Sequence, residues 1–306
     1  MFNAILLLIA QLTIARKSDY PFITLSEKIN NFLAGTDFAC HNLFQIFTAY
    51  TSGMTDSEQM KTAAEDWQHY IGSVWAGFLR SHNLHKNAVV IEVGAGFAHK
   101  VGLGLAQTGF SGKLYILEPA EQALEFTFLH YKKILPNARI IAVNQTLASW
   151  DVNVPEYVDA LLMNHVLDDF ILHAAASQQL GKVIFDNMRS NQVVCQEEVS
   201  ALWSGIMNNT AWRNQLTATV LESLIRFIGR TRPALLGISQ YESWFLNRNG
   251  LRAVNQYCSK VLAMLAWQLG NTVSEDQQML QAHGQKAEEW LLLDLTTQKA
   301  GGENSE

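Results

Sequence analysis

The stretch from Ala88 to Pro119, AVVIEVGAGFAHKVGLGLAQTGFSGKLYILEP, limits the fold more than any other part of the chain. Ala88–Val93 is a short β-branched apolar run, the pattern of a strand buried on both faces. It leads into Gly94-Ala95-Gly96, where glycines let the backbone turn sharply and admit a ligand against the main chain. Phe97–Gln107 carries apolar residues at helical spacing and stops before Gly109, a residue suited to the position just past a helix end. Lys113–Leu117 reads as the next strand, with Glu118 at its C-terminal end. Strand, glycine turn, helix and strand make a βαβ unit. The chain is therefore read as α/β with a doubly wound, mostly parallel sheet, whose ligands bind at the carboxyl ends of the strands.

Gly94 and Gly96 would let a nucleoside lie on the backbone, and Glu118 could accept hydrogen bonds from both ribose hydroxyls. A dinucleotide fingerprint, G-x-G-x-x-G, needs a third glycine where His99 stands, so that pattern is broken. What stands instead is E-V-G-A-G, with the acid Glu92 two residues before the first glycine. This resembles motif I of class I S-adenosyl-L-methionine-dependent methyltransferases. The resemblance implies a seven-stranded Rossmann-like sheet and S-adenosyl-L-methionine (SAM) as cofactor. It makes Glu118 the ribose-binding acid and places Glu92 near the amino-acid end of the cofactor, with Gly94 and Gly96 beneath it. Ala98 departs from the family's usual third alternate glycine.

Ala120–Leu135 reads as a helix ended by Pro136, and Arg139–Val143 as a third strand. Gln145, in its exit loop, falls near the position that in the family contacts the adenine amino group, and its amide is both donor and acceptor. Val158–Met163 is a fourth strand running into Asn164-His165-Val166-Leu167-Asp168-Asp169. That segment resembles the family's motif IV region, where the fourth strand ends near the transferred methyl group. Asn164 is placed with the cofactor-binding residues. His165 is the candidate general base, and Asp168 or Asp169 could hold an ammonium substrate by charge. The two aspartates equally suit the first turn of the next helix. No D/N-P-P-Y is present, which removes the signature of many DNA and glutamine N-methyltransferases.

Residues 1–87 read as an N-terminal helical cap. Thr55-Asp56-Ser57-Glu58 is a capping-box signature, and the helix it opens has a clear 3.6-residue apolar period. Trp67 and Tyr70 on that helix are candidates to line a substrate site. Residues 88–297 are read as the SAM-binding domain, with a helical insertion at about 190–232 that shapes a substrate pocket. Residues 298–306 form a polar tail expected to be disordered. Lys182–Asp186 and Ala234–Gln240 compete for the fifth strand, and the later segment is preferred; Trp290–Leu295 is the antiparallel closing strand. Arg226, Arg230 and Arg232 cluster near a helix C-terminus and could receive a substrate carboxylate. Asp186-Asn187 is similar to the pair that helps hold magnesium in catechol-type O-methyltransferases. Met163-Asn164 stands where the matching acid belongs, so no metal is expected.

The chain has 306 residues, 48% hydrophobic and 16% charged, enough apolar material for a large core. Its net charge of −6 argues against a general nucleic-acid partner. Cys40, Cys195 and Cys258 are scattered, which suits free thiols in a reducing compartment and a cytoplasmic location. Phe2–Ala15 is apolar but too short to span a bilayer, and its basic residues follow it, so it is read as a buried helix or a homodimer contact with no membrane role. Together these features point to a SAM-dependent methyltransferase acting on a small molecule. Rival readings are a SAM-using aminopropyl- or aminocarboxypropyltransferase, an NAD(P)-dependent oxidoreductase with Glu118 on the ribose, and a non-catalytic scaffold of the same fold.

Overall fold

The apolar runs form the strands. β1 (Val89–Val93), β2 (Lys113–Leu117), β3 (Arg139–Val143), β4 (Ala160–Asn164) and β5 (Leu235–Ser239) are parallel, and β6 (Trp290–Asp294) runs antiparallel to β5. Their order across the sheet is β3-β2-β1-β4-β5-β6. The computed structural model describes residues 57–151, 153–176, 196–242, 246, 250–270 and 276–296. Among these the sheet has six strands, not the seven expected, because β6 closes directly on β5 and no described segment supplies another. The fifth strand is the later candidate. Lys182–Asp186 lies outside the described residues.

The helices are α1 (Ser57–Ser81), α2 (Lys100–Gln107), α3 (Glu121–Ile134), α4 (Leu167–Ala176), α5 (Gln196–Asn208), α6 (Thr210–Thr231), α7 (Arg252–Gln268) and α8 (Gln277–Ala282). Alternate strand residues face opposite layers. Val90, Leu114, Ile116, Leu162 and Leu292 pack with Ile71, Trp75 and Phe78 of α1, Val101 of α2 and Tyr131 of α3. Ile91, Leu161, Met163, Leu236 and Leu293 pack with side chains of α4, α5, α6 and α7. Both faces are covered, which is why β1, β4 and β5 are mostly apolar, the polar exceptions being Glu92, Asn164 and Ser239 near their C-terminal ends.

Helix α1 falls within the region expected as a cap. Its C-terminal half is part of the sheet's helix layer and lies against α2 through glycines. A Cβ at Gly104 would stand 2.6 Å from the Trp75 Cβ and 3.0 Å from the Gly72 carbonyl oxygen. Trp75 also lies over Gly237 of β5, where a Cβ would meet the indole at 2.6 Å. The remainder of the expected cap, residues 1–56 with Thr55 and the apolar Phe2–Ala15, falls outside the described residues, as does the tail 298–306. Helices α5 and α6 stand between β4 and β5, at the expected place of the insertion. Leu216, Val220, Leu224 and Phe227 of α6 sink into the main core, so α6 belongs to the covering layer.

α2 starts at Lys100 instead of Phe97, because Gly94 (φ +68°) and Gly96 (φ +57°) carry the chain through a left-handed turn first. Among the described residues no helix is long and apolar enough to cross a membrane. Gly104→Ala is expected to lower stability by about 1–3 kcal/mol, the usual cost of overpacking a tight contact. Urea unfolding monitored by tryptophan fluorescence checks it; an unchanged midpoint would contradict the close α1–α2 contact.

Candidate functional site

The predicted cradle forms at the C-terminal ends of β1 and β2, and its central residue, Gly96, is held through both its N–H and its carbonyl. The Gly96 N–H donates to Glu118 Oε2 at 2.9 Å, while Thr127 Oγ1 of α3 donates to the Gly96 carbonyl at 2.7 Å. The other Glu118 oxygen accepts from the Ala120 N–H at 2.9 Å. A carboxylate has about four acceptor positions, so holding the turn does not bar Glu118 from a ribose. A Cβ at Gly96 would meet nothing within 4 Å, so the turn opens onto space that a ligand can fill. Gly94 is different: a Cβ there would strike Val166 at 2.8 Å.

Glu92 is buried beneath the turn and accepts from the Tyr131 hydroxyl at 2.8 Å. The same hydroxyl oxygen accepts from the Gly102 N–H at 3.0 Å. Burial pushes the Glu92 carboxyl up to about 8; the tyrosine bond opposes this and the nearby Glu118 adds to it. Glu92 therefore supports the cradle from below and ties α2 to α3. Thr127 and Tyr131, one turn apart on α3, are functional residues that the sequence analysis missed. Their signal was two hydroxyl side chains at i and i+4 on an otherwise apolar helix face.

Asn144, just after β3, donates to the carbonyls of Glu118 and Pro119, each at 3.1 Å, and so fixes the loop that carries the acid. The Gln145 Oε1 is buried and has no hydrogen-bond partner among the described residues, which suits a site for an exocyclic amino group. His99, where a dinucleotide fold wants glycine, is buried with its ring 4.0 Å from that of His130.

The second half of the site lies at the ends of β4 and β5, beyond the switch point between β1 and β4. Asn164, expected among the cofactor contacts, has its carboxamide joined to three protein groups: Oδ1 accepts from Trp75 Nε1 (3.1 Å) and Ser239 Oγ (3.2 Å), and Nδ2 donates to the Tyr241 hydroxyl (3.2 Å).

His165 follows with φ +55°, a left-handed conformation uncommon for a side chain larger than glycine. Its N–H is fixed by the Ser239 carbonyl at 2.9 Å. Its ring lies 4.7 Å from that of Tyr241, with Nδ1 3.6 Å from Asp168 Oδ1. The Nε2 is buried and unpartnered among the described residues. Gln240 locks the start of α4: its Oε1 accepts from the Leu167 N–H (2.9 Å), and its Nε2 donates to Asp168 (3.3 Å).

Enclosure by protein pushes the Asp169 carboxyl well above the usual range, with Asp168 and Glu118 adding repulsion. Glu118 thus acts on both Glu92 and Asp169.

Trp67 stands edge-on to Tyr241, with centroids 5.5 Å apart, and reaches the site. Tyr70, predicted beside it, is diverted: its hydroxyl bonds the His283 carbonyl and accepts from Gln285 Nε2 at 2.8 Å, anchoring the turn after α8. The three arginines are likewise used locally. Arg226 pairs with exposed Glu222, Arg230 donates to the Trp150 carbonyl, and Arg232 donates to the Tyr157 hydroxyl at 2.7 Å. Among the described residues no group of three or more His, Cys, Asp or Glu side chains is placed to hold a metal ion. Asp186 and Asn187 lie outside them. A groove of about 950 Å³ between α6 and α7 is lined in part by Arg226 and holds none of the predicted cofactor or catalytic residues.

No family model matches the chain, and no curated protein sequence does. Among solved structures, similarity is found to the CcbJ methyltransferase of Streptomyces caelestis (13% identity, TM-score 0.31); the match spans 55% of this chain and about half, 52%, of that one. The methyltransferase domain of bacterial CtHen1 matches at 17% identity over 67% and 86% of the two chains, TM-score 0.37. The plantazolicin methyltransferase BpumL, in complex with SAH, matches at 10% identity over 80% and 78%, TM-score 0.36. Likenesses of this size carry no argument; the geometry of the cradle and its cleft does.

The raised Glu92 pKa has a direct consequence. Between the unfolded value of 4.5 and the folded value of about 8 the folded protein binds the extra proton, so stability falls as pH rises through that window. Glu92→Gln should match the wild type near pH 5 and be more resistant to urea at pH 8.5, by on the order of a few kcal/mol. Equal midpoints at both pH values would show that Glu92 is not a buried proton holder.

Proposed function

We propose that the chain is a SAM-dependent methyltransferase of the class I, Rossmann-like kind, acting on a small-molecule acceptor. One observation carries the reading: an open glycine turn, its Gly96 N–H held by Glu118, lies at the C-terminal ends of β1 and β2 with Glu92 buried beneath it. Burial and the neighbouring carboxyls raise the proton affinity of Glu92 and Asp169. Such surroundings favour a cation, and a sulfonium nucleoside with an ammonium group supplies one. A nicotinamide dinucleotide would bring an anionic pyrophosphate instead, and the helix after the turn opens with His99 and Lys100 in place of a third glycine.

Glu118 would take the ribose, Gly94 and Gly96 the nucleoside backbone, and Gln145 the adenine edge. Glu92 would act from below, through the turn. When bound, the cofactor supplies an electrophilic methyl carbon on sulfur. The protein's part is to align an acceptor with that carbon and keep water out. His165, in its left-handed conformation and with Asp168 3.6 Å from its Nδ1, would contact the acceptor, and Asp169 and Trp67 would complete that part of the site. The rival SAM-using transferases would need the same cradle and differ in the carbon attacked, and a scaffold would keep binding without transfer. The division into cap, domain and insertion, the homodimer and the cytoplasmic location belong to this proposal.

Glu118→Ala should weaken binding of S-adenosylhomocysteine (SAH) about ten- to a hundredfold, the loss expected for a charged hydrogen-bond partner. Equilibrium dialysis with labelled SAH measures it, and unchanged affinity in a folded variant would remove Glu118 from the site. His165→Ala should leave SAH affinity intact and cut methyl transfer in a screen of small acceptors with labelled SAM. Full transfer would take His165 out of the mechanism.

A further inference from the structure

Lys100 was not singled out by the sequence, yet it occupies an uncommon place. It is the first residue of α2, directly after the glycine turn, and only 3% exposed. Its Nζ lies 2.8 Å from the hydroxyl of Tyr241, the second residue after β5. That hydroxyl also accepts from Asn164 Nδ2 at 3.2 Å and from the Trp67 indole. Several donors thus converge on one buried phenol oxygen between the glycine turn and His165, whose ring stacks on the same tyrosine.

We propose that Lys100 and Tyr241 form the pair that takes the proton from the methyl acceptor, and that the acceptor is therefore a hydroxyl or amine rather than a carboxylate. This rests on the methyltransferase reading. A carboxylate is already ionised near neutral pH and needs no base; an alcohol, phenol or ammonium must lose a proton before or during transfer.

The contact suits a relay because its direction can reverse. With Lys100 protonated, the ammonium donates to the phenol oxygen. With Lys100 neutral, the phenol O–H can donate to Nζ while Asn164 still donates to the phenol. In the reaction the acceptor's lone pair takes the methyl carbon and the carbon–sulfur electron pair returns to sulfur. The acceptor proton passes to the Tyr241 oxygen as the tyrosine proton passes to Lys100 Nζ. Charge balances: the sulfonium becomes a thioether and the amine becomes an ammonium.

Burial brings the Lys100 amine down to about 7, so a large fraction is free base at neutral pH, and the positive end of α2 acts in the same direction. Burial also holds the Tyr241 hydroxyl above its ordinary value, so the tyrosine relays a proton without surrendering it. The groups facing the pair are His165 on the β4–α4 turn and Asp168 on α4, the latter raising the Tyr241 pKa further.

Two readouts test the pair. Protein labelled with [6-13C]lysine and saturated with SAH is titrated by NMR, with Lys100→Met assigning the resonance. Lys100 is expected to titrate near 7 and to shift lower in Tyr241→Phe, which removes the oxygen that accepts from its ammonium. Titration near 10, or indifference to Tyr241→Phe, would overturn the inference. Transfer of labelled methyl is then measured to a panel of phenols, alcohols, amines and carboxylic acids. Hydroxyl or amine acceptors should be methylated, with the rate falling as pH drops below 7. Lys100→Met should lose about a hundredfold or more while keeping SAH affinity, and should regain rate with phenols at high pH. Methylation of carboxylic acids alone, or an unaltered pH profile in Lys100→Met, would overturn it. Failure of the wild type to bind SAH would sink the methyltransferase reading itself, whereas SAH binding with an ordinary Lys100 sinks only the proton-accepting pair.

Discussion

The site depends on one residue, Gly96, gripped through both of its backbone polar groups. Its N–H goes to Glu118 at the end of β2 and its carbonyl to Thr127 in the middle of α3. The grip fixes a left-handed turn that a larger residue would strain, and it leaves the space above the glycine open. Tyr131, four residues after Thr127, repeats the device one layer down by joining Glu92 to the backbone of α2. Helix α3 is therefore the fastening of the cradle as well as part of the core. The closeness is visible at Gly102, where a Cβ would fall 2.2 Å from the Tyr131 ring.

The second constraint is electrostatic. Carboxyls on β1, at the end of β2 and on α4 lie near enough to act on one another, and burial together with that repulsion raises the proton affinity of Glu92 and Asp169. Lys100 lies buried against Tyr241 nearby, and burial lowers its own proton affinity. Burial disfavours the charged form of both types of group. Perturbed groups of opposite kind gathered at strand ends are the usual mark of a site built for chemistry.

Much of this was legible in the residues because it is local. The β-branched runs at Val89–Val93 and Ala160–Asn164, the paired glycines and the acid after β2 all announce themselves within a few positions. The fifth strand was legible too, since Leu235–Ser239 follows a helix stop and a proline. What escaped depends on contacts between distant segments. The bond from Trp75 to the Asn164 oxygen spans 89 residues. The bond from the Tyr70 hydroxyl to the turn at His283 spans 213. Lys100 was invisible because its partner Tyr241 lies 141 residues away, beyond α6 and β5. Sequence periodicity reports which face a residue takes, and it does not report which remote group meets it there.

The most direct test of the whole account is a calorimetric titration of the full chain with SAM and SAH, alongside NAD(H) and NADP(H). An acidic cradle closed around Gly96 should bind the two sulfur nucleosides in the micromolar range and leave the anionic dinucleotides in solution. Binding of a nicotinamide cofactor alone, or silence from all of them, would contradict it.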